Sequence, residues 1–422
     1  MRGAFDRAGL LAQLAWRSLR HRALATTVTV LAAGIATGLV LAVWSIQDQA
    51  RRAFTATPGG FDAVVGARGS QLQLVLNAVF HLETSPGNIP WSLYQDLRDD
   101  DRVTLAVPYA VGDSYASFRI VGTTSELFSY AAIGNQVMKI RPGGRVFNND
   151  AREAVIGSLV ARRTGLRVGS TFEPQHGIGD GGATHHEHFA VVGVLEPTGT
   201  PADRVIWVPI DAMLSLEGHV LHGAGVEYVP HPGEPIPAEH KELSAVMLRL
   251  ADPNAGFSLD QEINRFGRSA TLAWPVGNSV AEVFEKLGWL AEILGVVALL
   301  TVLVAAASVL AGIHNTLEAR AREFALLRAV GATRGTVFGV VAGEAGALGV
   351  LGAIAGYLVY AGIFAFAAAV VRARAGVVLD PFAYHPVLLL APAVTILAAL
   401  LAGIPPAIAA YRSDVSTILT RG

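Results

Sequence analysis

Four long stretches of this chain carry apolar side chains on every side rather than along one stripe. No Asp, Glu, Lys or Arg occurs between Arg22 and Asp48, a run longer than the roughly 20 residues a membrane-crossing helix needs. A second run extends from Ile293 to Leu317 and continues a helical pattern that begins near Val280. A third, from Thr336 to Val371, is broken only by Glu344. The fourth, from Val387 to Ala410, contains Pro392, Pro405 and Pro406, which membrane helices tolerate because neighbouring helices re-satisfy the freed backbone groups. The pattern predicts an α-helical membrane protein with four transmembrane helices, at residues 23–47, 286–315, 335–371 and 387–411. The first run is too long for the apolar part of an ordinary signal peptide and reads as a retained span.

Between the first and second runs the periodicity changes. Short β-rich segments (VTLAVPYAV, SFRIVG, FAVVGVL, RVIWVPI, AVMLRL) alternate with helical ones, WSLYQDLRDD and SLDQEINRF, and Gly/Pro-rich loops separate them. Residues 48–285 are therefore expected to form a large α+β extracytoplasmic domain, long enough for two lobes. Near its start, Gln71, Leu72, Leu74, Val75 and Leu76 form an amphipathic helical pattern. It suits either a surface in contact with lipid or ordinary packing inside the domain.

Composition supports the membrane reading, and charge placement orients it. Of the 422 residues, 52% are hydrophobic and 16% charged, against about 25% charged in soluble domains. Arg2, Arg7, Arg17, Arg20 and Arg22 precede the first span; Arg320, Arg322, Arg328 and Arg334 lie between the second and third; Arg412 and Arg421 follow the fourth. With four spans these three segments share one side, and their arginines make it cytoplasmic. Residues 1–22, 316–334 and 412–422 are thus expected inside, with both termini cytoplasmic. Residues 48–285 and the short loop 372–386, where Arg372 and Arg374 run against the trend, are expected outside the inner membrane of a bacterium.

Several classes of function lack their chemistry. The net charge of −2 and the absence of a basic, aromatic-studded stripe leave no nucleic-acid partner. There is no cysteine, hence no disulfide, Cys-based zinc site or thiol catalysis. None of the three lysines (Lys139, Lys241, Lys286) precedes Ser or Thr, so no phosphate-cradling G-x-x-x-x-G-K-[ST] loop exists. Neither H-E-x-x-H nor G-x-S-x-G occurs. No catalytic residues are assigned, and no cofactor is expected in this chain beyond a speculative metal ion in the outer domain.

The most distinctive segment is the loop between the second and third spans, NTLEARAREFALLRAVGATRG. Glu318 and Arg322 stand four apart in the favourable order for a helix, and Leu317, Phe324 and Leu327 share an apolar face. Gly331 can end the helix in a left-handed conformation, and Thr333 can cap the next. In the span that follows, Gly335, Gly339 and Gly343 continue at steps of four from Gly331, and Gly352 and Gly356 repeat that step. Small residues at this spacing allow close helix packing in lipid. Glu344 is costly unless it faces another helix or the interface.

The run AREFALLRAVGATR with the acid and glycine ladder after it resembles the FtsX/MacB family of ABC transporter permeases. So do EAVIGSLVARRTGLRVGSTF and FAVVGVLEPTGTPADRVIWVPIDAM, which look like that family's MacB-like periplasmic core, and the order of one span, a large outer domain and three spans agrees. The resemblance implies an ATPase-coupling helix over Glu318, Arg322, Glu323, Phe324, Leu326, Leu327, Arg328, Gly331, Thr333 and Arg334. It implies a separate ABC ATPase subunit in two copies, which binds ATP and Mg, and a second permease copy. A periplasmic adaptor or substrate-accepting protein and membrane lipid complete the expected partners. The implied function is mechanotransmission: ATP-driven motion passed to the periplasmic domain for export or extraction of a lipoprotein, peptide, lipid-like compound or drug. The alternatives are an FtsX-like regulator of a cell-wall hydrolase or sensor, and a zinc-related membrane protein.

The zinc alternative rests on HGIGDGGATHHEHF, residues 176–189. If the strand it leads into begins by His185, alternation places His186 and His188 on one face and His185 and Glu187 on the other. Two ligands then face each way, with His176 or Asp180 free to join on a glycine-rich loop. The other reading is a solvated loop.

Overall fold

The computed structural model describes residues 13, 17–55, 60–130, 132–133, 136–177, 182–231, 234–286, 288–381 and 383–412. They form two compact units. One is helical, comprising Met1–Gln49, Leu287–Ala368 and Asp380–Gly422; the other is α+β, comprising Ala50–Lys286 and Ala369–Leu379.

In chain order, helix α1 (Ala23–Thr55) precedes strand β1 (Ala63–Ala67), α2 (Gln71–Ala78) and α3 (Trp91–Arg98). Strands β2 (Val103–Tyr115), β3 (Phe118–Thr123) and β4 (Glu153–Ile156) lead to α4 (Ser158–Thr164). The short β5 (Thr171–Phe172) and β6 (Gln175–His176) come next, then β7 (Phe189–Val194), β8 (Val205–Pro209) and α5 (Ile210–Leu214). Strand β9 (Ala245–Leu250), α6 (Pro253–Asp260), β10 (Ala270–Ala273) and α7 (Val276–Lys286) complete the α+β unit. Helices α8 (Gly288–Ala319), α9 (Ala321–Ala329), α10 (Arg334–Ala375) and α11 (Val387–Arg412) follow.

The α+β unit is built on one mixed sheet in the order β10-β1-β9-β2-β3-β8-β4-β7-β5, with β6 attached to β2. Its two halves share the long strand β2. The first part of β2 pairs antiparallel with β9 (Ala245 opposite Tyr109, Leu248 opposite Ala106), and the remainder pairs with β3 (Ala110 opposite Gly122). The register shifts between Val111 and Ser114. Both faces of the sheet are covered, so its central strands bury apolar residues on both faces rather than on alternate positions only. Ile120, Ile206 and Leu248 enter one core, while their neighbours Val121, Trp207 and Met247 enter the other.

Helix α2 starts at Ser70, whose hydroxyl accepts from the Gln73 amide, and its Leu74 and Val75 are fully buried in the second core. Of the two roles open to that amphipathic pattern, its apolar face serves packing inside the domain.

In the helical unit, α1, α8, α10 and α11 are each long and apolar enough to cross a membrane. The fold is therefore a four-helix membrane part joined to a large α+β domain. Two polar contacts within the helical unit tie its segments together. Thr37 Oγ1 bonds the Ala33 carbonyl and lies 2.8 Å from Thr395 Oγ1 of α11. The side-chain amide of Gln49 donates to the Asp380 carbonyl at 2.7 Å and accepts from the Asp380 amide at 2.8 Å.

Candidate coupling surface and histidine cluster

Helix α9 is short because both of its ends are fixed. At its start Arg320 departs from helical geometry, and its guanidinium makes four contacts: Ser18 Oγ at 2.6 Å, Glu344 Oε1 at 2.7 Å, Glu323 Oε2 at 2.8 Å and the Phe324 ring at 4.8 Å. Gly331 follows at φ 108°, a conformation that favours glycine. Thr333 Oγ1 then accepts from the Thr336 amide at 3.2 Å and opens α10. Phe324 and Ala325 are buried, Phe324 in a cluster with Leu19, Ile313, Val337 and Val341.

The opposite face is bare. Leu326 is 57% and Val330 88% exposed, and with the exposed Glu323 they stand three and four residues apart along one stripe. Arg334 lies over the Tyr411 ring, and Arg328 is half-buried. The side chains of Glu318, Arg322 and Leu327 lie outside the described set. Sequence reasoning missed Arg320 and Val330. Val330 is four residues beyond Leu326, and that spacing was the available signal.

The glycines of α10 divide into two groups. A Cβ on Gly352 would stand 2.6 Å from Ala33 Cβ, and one on Gly356 would stand 2.5 Å from Thr37 Cβ. Gly34 and Gly38 of α1 answer them, meeting Ala355 and Val359 at 2.7 and 2.6 Å. The α1–α10 seam is therefore a G-x-x-x-G pair on both helices, the α1 half being GIATG at residues 34–38. Gly335 and Gly343 are exposed, and Gly343 meets nothing within 4 Å, so neither packs against another helix among the described residues. Gly339 is half-buried. Glu344 is buried and held by Arg320, which answers its desolvation with a charge partner.

The histidine segment differs from its alternating pattern. Strand β7 begins at Phe189, not at His185, because the preceding residues belong to a loop clamped onto β2. His176 stands opposite Asp113 in the β6–β2 pair. The Gly177 amide donates to the Gly112 carbonyl, Ser114 Oγ donates to the Gly177 carbonyl, and the His185 amide donates to the Pro174 carbonyl. Gly177 has φ 81°, and any side chain at Gly182 would collide with the His176 carbonyl, which accounts for two of the glycines. His186 and His188 are exposed, with His188 Nδ1 3.5 Å from Glu173. Glu187 accepts from the Glu217 amide. Asp180 lies outside the described residues.

His176 and His185 instead converge with two residues absent from the predicted set, Asp113 of β2 and His219 from the turn after α5. Their four donor atoms lie within 4.8 Å of one another. Asp113 and His219 are distant in sequence and share no local pattern with the loop.

Four helices long and apolar enough to cross a membrane, a sheet-based α+β domain and a short helix between the second and third of them define the class as an α-helical membrane protein with a large α+β domain. The MacB-like periplasmic core domain matches residues 26–265, and the FtsX-like permease C-terminal domain matches residues 295–415. The first match alone spans more than half of the chain, and the chain belongs to this MacB/FtsX family of ABC permeases. Among solved structures, the periplasmic region of MacB from Actinobacillus actinomycetemcomitans is similar at 10% identity, covering 54% of this chain and 94% of that one with a TM-score of 0.33. The extracellular domain of the noncanonic ABC-type transporter YknZ from Gram-positive bacteria is similar at 14% identity, covering 50% and 97% with a TM-score of 0.28. No curated protein matches by sequence.

Proposed function

We propose that the chain is the mechanotransmitting permease of an ABC transporter, and that α9 is the helix through which it couples to a separate ATPase subunit. Two permease copies would work with two ATPase copies, which hold the ATP and Mg. The arrangement sits in the inner membrane of a bacterium with both termini and α9 in the cytoplasm and the α+β unit in the periplasm, as the arginine distribution favours. The substrate classes that suit it are a lipoprotein, peptide, lipid-like compound or drug, extracted or exported by movement of the α+β units.

One observation carries this reading. Helix α9 is anchored on one face by Phe324, Arg320 and Glu344 and exposed on the other at Leu326 and Val330, beside a Glu323 that is exposed but paired with Arg320. A push on the bare face moves α8 and α10 instead of deforming the loop, since Arg320 and Gly331 leave only short joints at either end. The test is co-purification with a candidate ABC ATPase. The Leu326→Glu/Val330→Glu variant is expected to fold and to lose the ATPase. Retention of the complex together with its full ATP hydrolysis would remove α9 from the coupling role. A cell-wall hydrolase that is activated without any substrate being moved would favour the regulator over the exporter.

A further inference from the structure

We propose that Asp113, His176, His185 and His219 form a binding site for one zinc ion in the α+β unit. The Asp113 carboxylate is fully buried, and among the described residues the side chains within ion-pair range of it are three histidines. A carboxylate taken out of water needs a cation or a full set of donors. Here Oδ2 has no hydrogen-bond partner among the described residues.

Distances decide which cation fits. Imidazolium–carboxylate hydrogen bonds are expected at about 2.7–2.9 Å. The observed separations are 3.3 Å for His176 Nδ1, 3.4 Å for His185 Nε2 and 3.4 Å for His219 Nε2. On these three carboxylate–imidazole edges that matches a tetrahedron around an ion with metal–ligand bonds of about 2.0–2.1 Å, whose edge is roughly 3.3–3.4 Å, and all four ligand atoms lie within 4.8 Å of one another. The three rings also surround a common centre, with centroids 5.2 to 5.8 Å apart and planes inclined by 68° to 84°.

The surroundings prepare the ligands. His185 Nδ1 lies 2.8 Å from the Glu217 carbonyl, which can only accept, so Nδ1 carries the proton and Nε2 presents its lone pair to the site. His185 and His219 are 5% and 12% exposed, whereas His176 is 58% exposed. His176 and His219 also line an open cleft of ≈ 290 Å³ with Asn88, Gly112 and Ser244. That gives an ion a way in from solvent. Three imidazoles and one carboxylate suit zinc rather than magnesium or calcium, which take oxygen ligands. With four protein ligands no position is left for a reacting water, so the site binds and crosslinks β2, the histidine loop and the turn after α5 and does not hydrolyse anything. His186 and His188 take no part.

The test uses the full chain in nanodiscs, stripped with EDTA and with no ATPase present, so that it is independent of the coupling proposal. Zinc is titrated calorimetrically, and cobalt is added separately to read visible absorption. The expected result is one zinc per chain with Kd below about 1 µM, and cobalt bands of four-coordinate intensity. His176→Ala and His219→Ala should each weaken binding by at least the roughly 10–100-fold that loss of an outer-shell partner costs, while His186→Ala/His188→Ala leaves it unchanged. His176 is mostly exposed, so its variant should melt like the parent without zinc, which separates loss of a ligand from loss of fold. Binding no tighter than millimolar, or binding abolished by the His186/His188 variant and kept by the other two, would overturn the site.

Discussion

The His81 ring is half-buried, with Tyr109 stacked at 6.5 Å and Trp207 edge-on at 5.7 Å. Burial, then the nearby Arg119 and Arg204, lower its pKa from 6.5 to about 3, against a smaller opposing effect of the Asn77 backbone. Between those two values the unfolded chain takes up a proton that the folded chain refuses. Stability contributed by the neutral ring is therefore complete above pH 6.5 and is lost as pH falls, by up to about 1.4 kcal/mol per pH unit. Denaturant unfolding of the full chain should show a midpoint that drops from pH 6.5 toward pH 4. His81→Asn, which tolerates the residue's φ of 54°, should flatten that slope; an unchanged slope would remove His81 as its source. A second prediction concerns Arg320 and Glu344, both largely buried and 2.7 Å apart. Glu344→Leu leaves the guanidinium with the exposed Glu323 as its one carboxylate partner among the described residues and should cost about 3–5 kcal/mol, most of it regained in Arg320→Met/Glu344→Leu. Thermal melts in detergent would show this, and additive losses would contradict it. Sequence offered the neighbouring pair Glu318 and Arg322 because local spacing can be read from the chain. The Arg320–Glu344 pair spans a helix break and 24 positions, so no local periodicity reveals it.

Elements were legible where their signal was local. The long apolar runs, the stop at Gly331 and restart at Thr333, and the β-rich segments FAVVGVL and RVIWVPI all appear as structure close to where the pattern put them. The histidine loop was not, because its conformation is dictated by β2, some sixty residues earlier. Alternation assumed a strand through His185, but pairing with Gly112 and Asp113 turned His185 inward and left His186 and His188 in solvent. Likewise the glycine ladder gave the spacing on α10 but not its partner, which the GIATG of α1 supplies. The seam is directly testable. Gly356→Leu places a side chain where Thr37 Cβ already stands 2.5 Å from any Cβ, and should destabilise the helical unit by about 1–3 kcal/mol. Gly343→Leu, with open space around it, should not. Equal melting temperatures for the two variants would contradict the seam.

For the molecule as a whole, the division into an apolar helical unit and an α+β unit follows from hydropathy and period. The sheet order does not, since β1 lies between β9 and β10, strands from the far end of the domain. The proposed function needs both units: α9 receives the push, and the α+β units do the work. The chain contains no cysteine, so one introduced cysteine can be labelled without background. Arg163→Cys on the exposed side of α4, spin-labelled in the reconstituted complex with its ATPase, reports the distance between two permease copies by pulsed EPR. Mechanotransmission predicts that the distance distribution shifts between the nucleotide-free and the ATP–vanadate-trapped states, and that Leu326→Glu/Val330→Glu abolishes the shift. Identical distributions in both states, in a complex that still hydrolyses ATP, would contradict it.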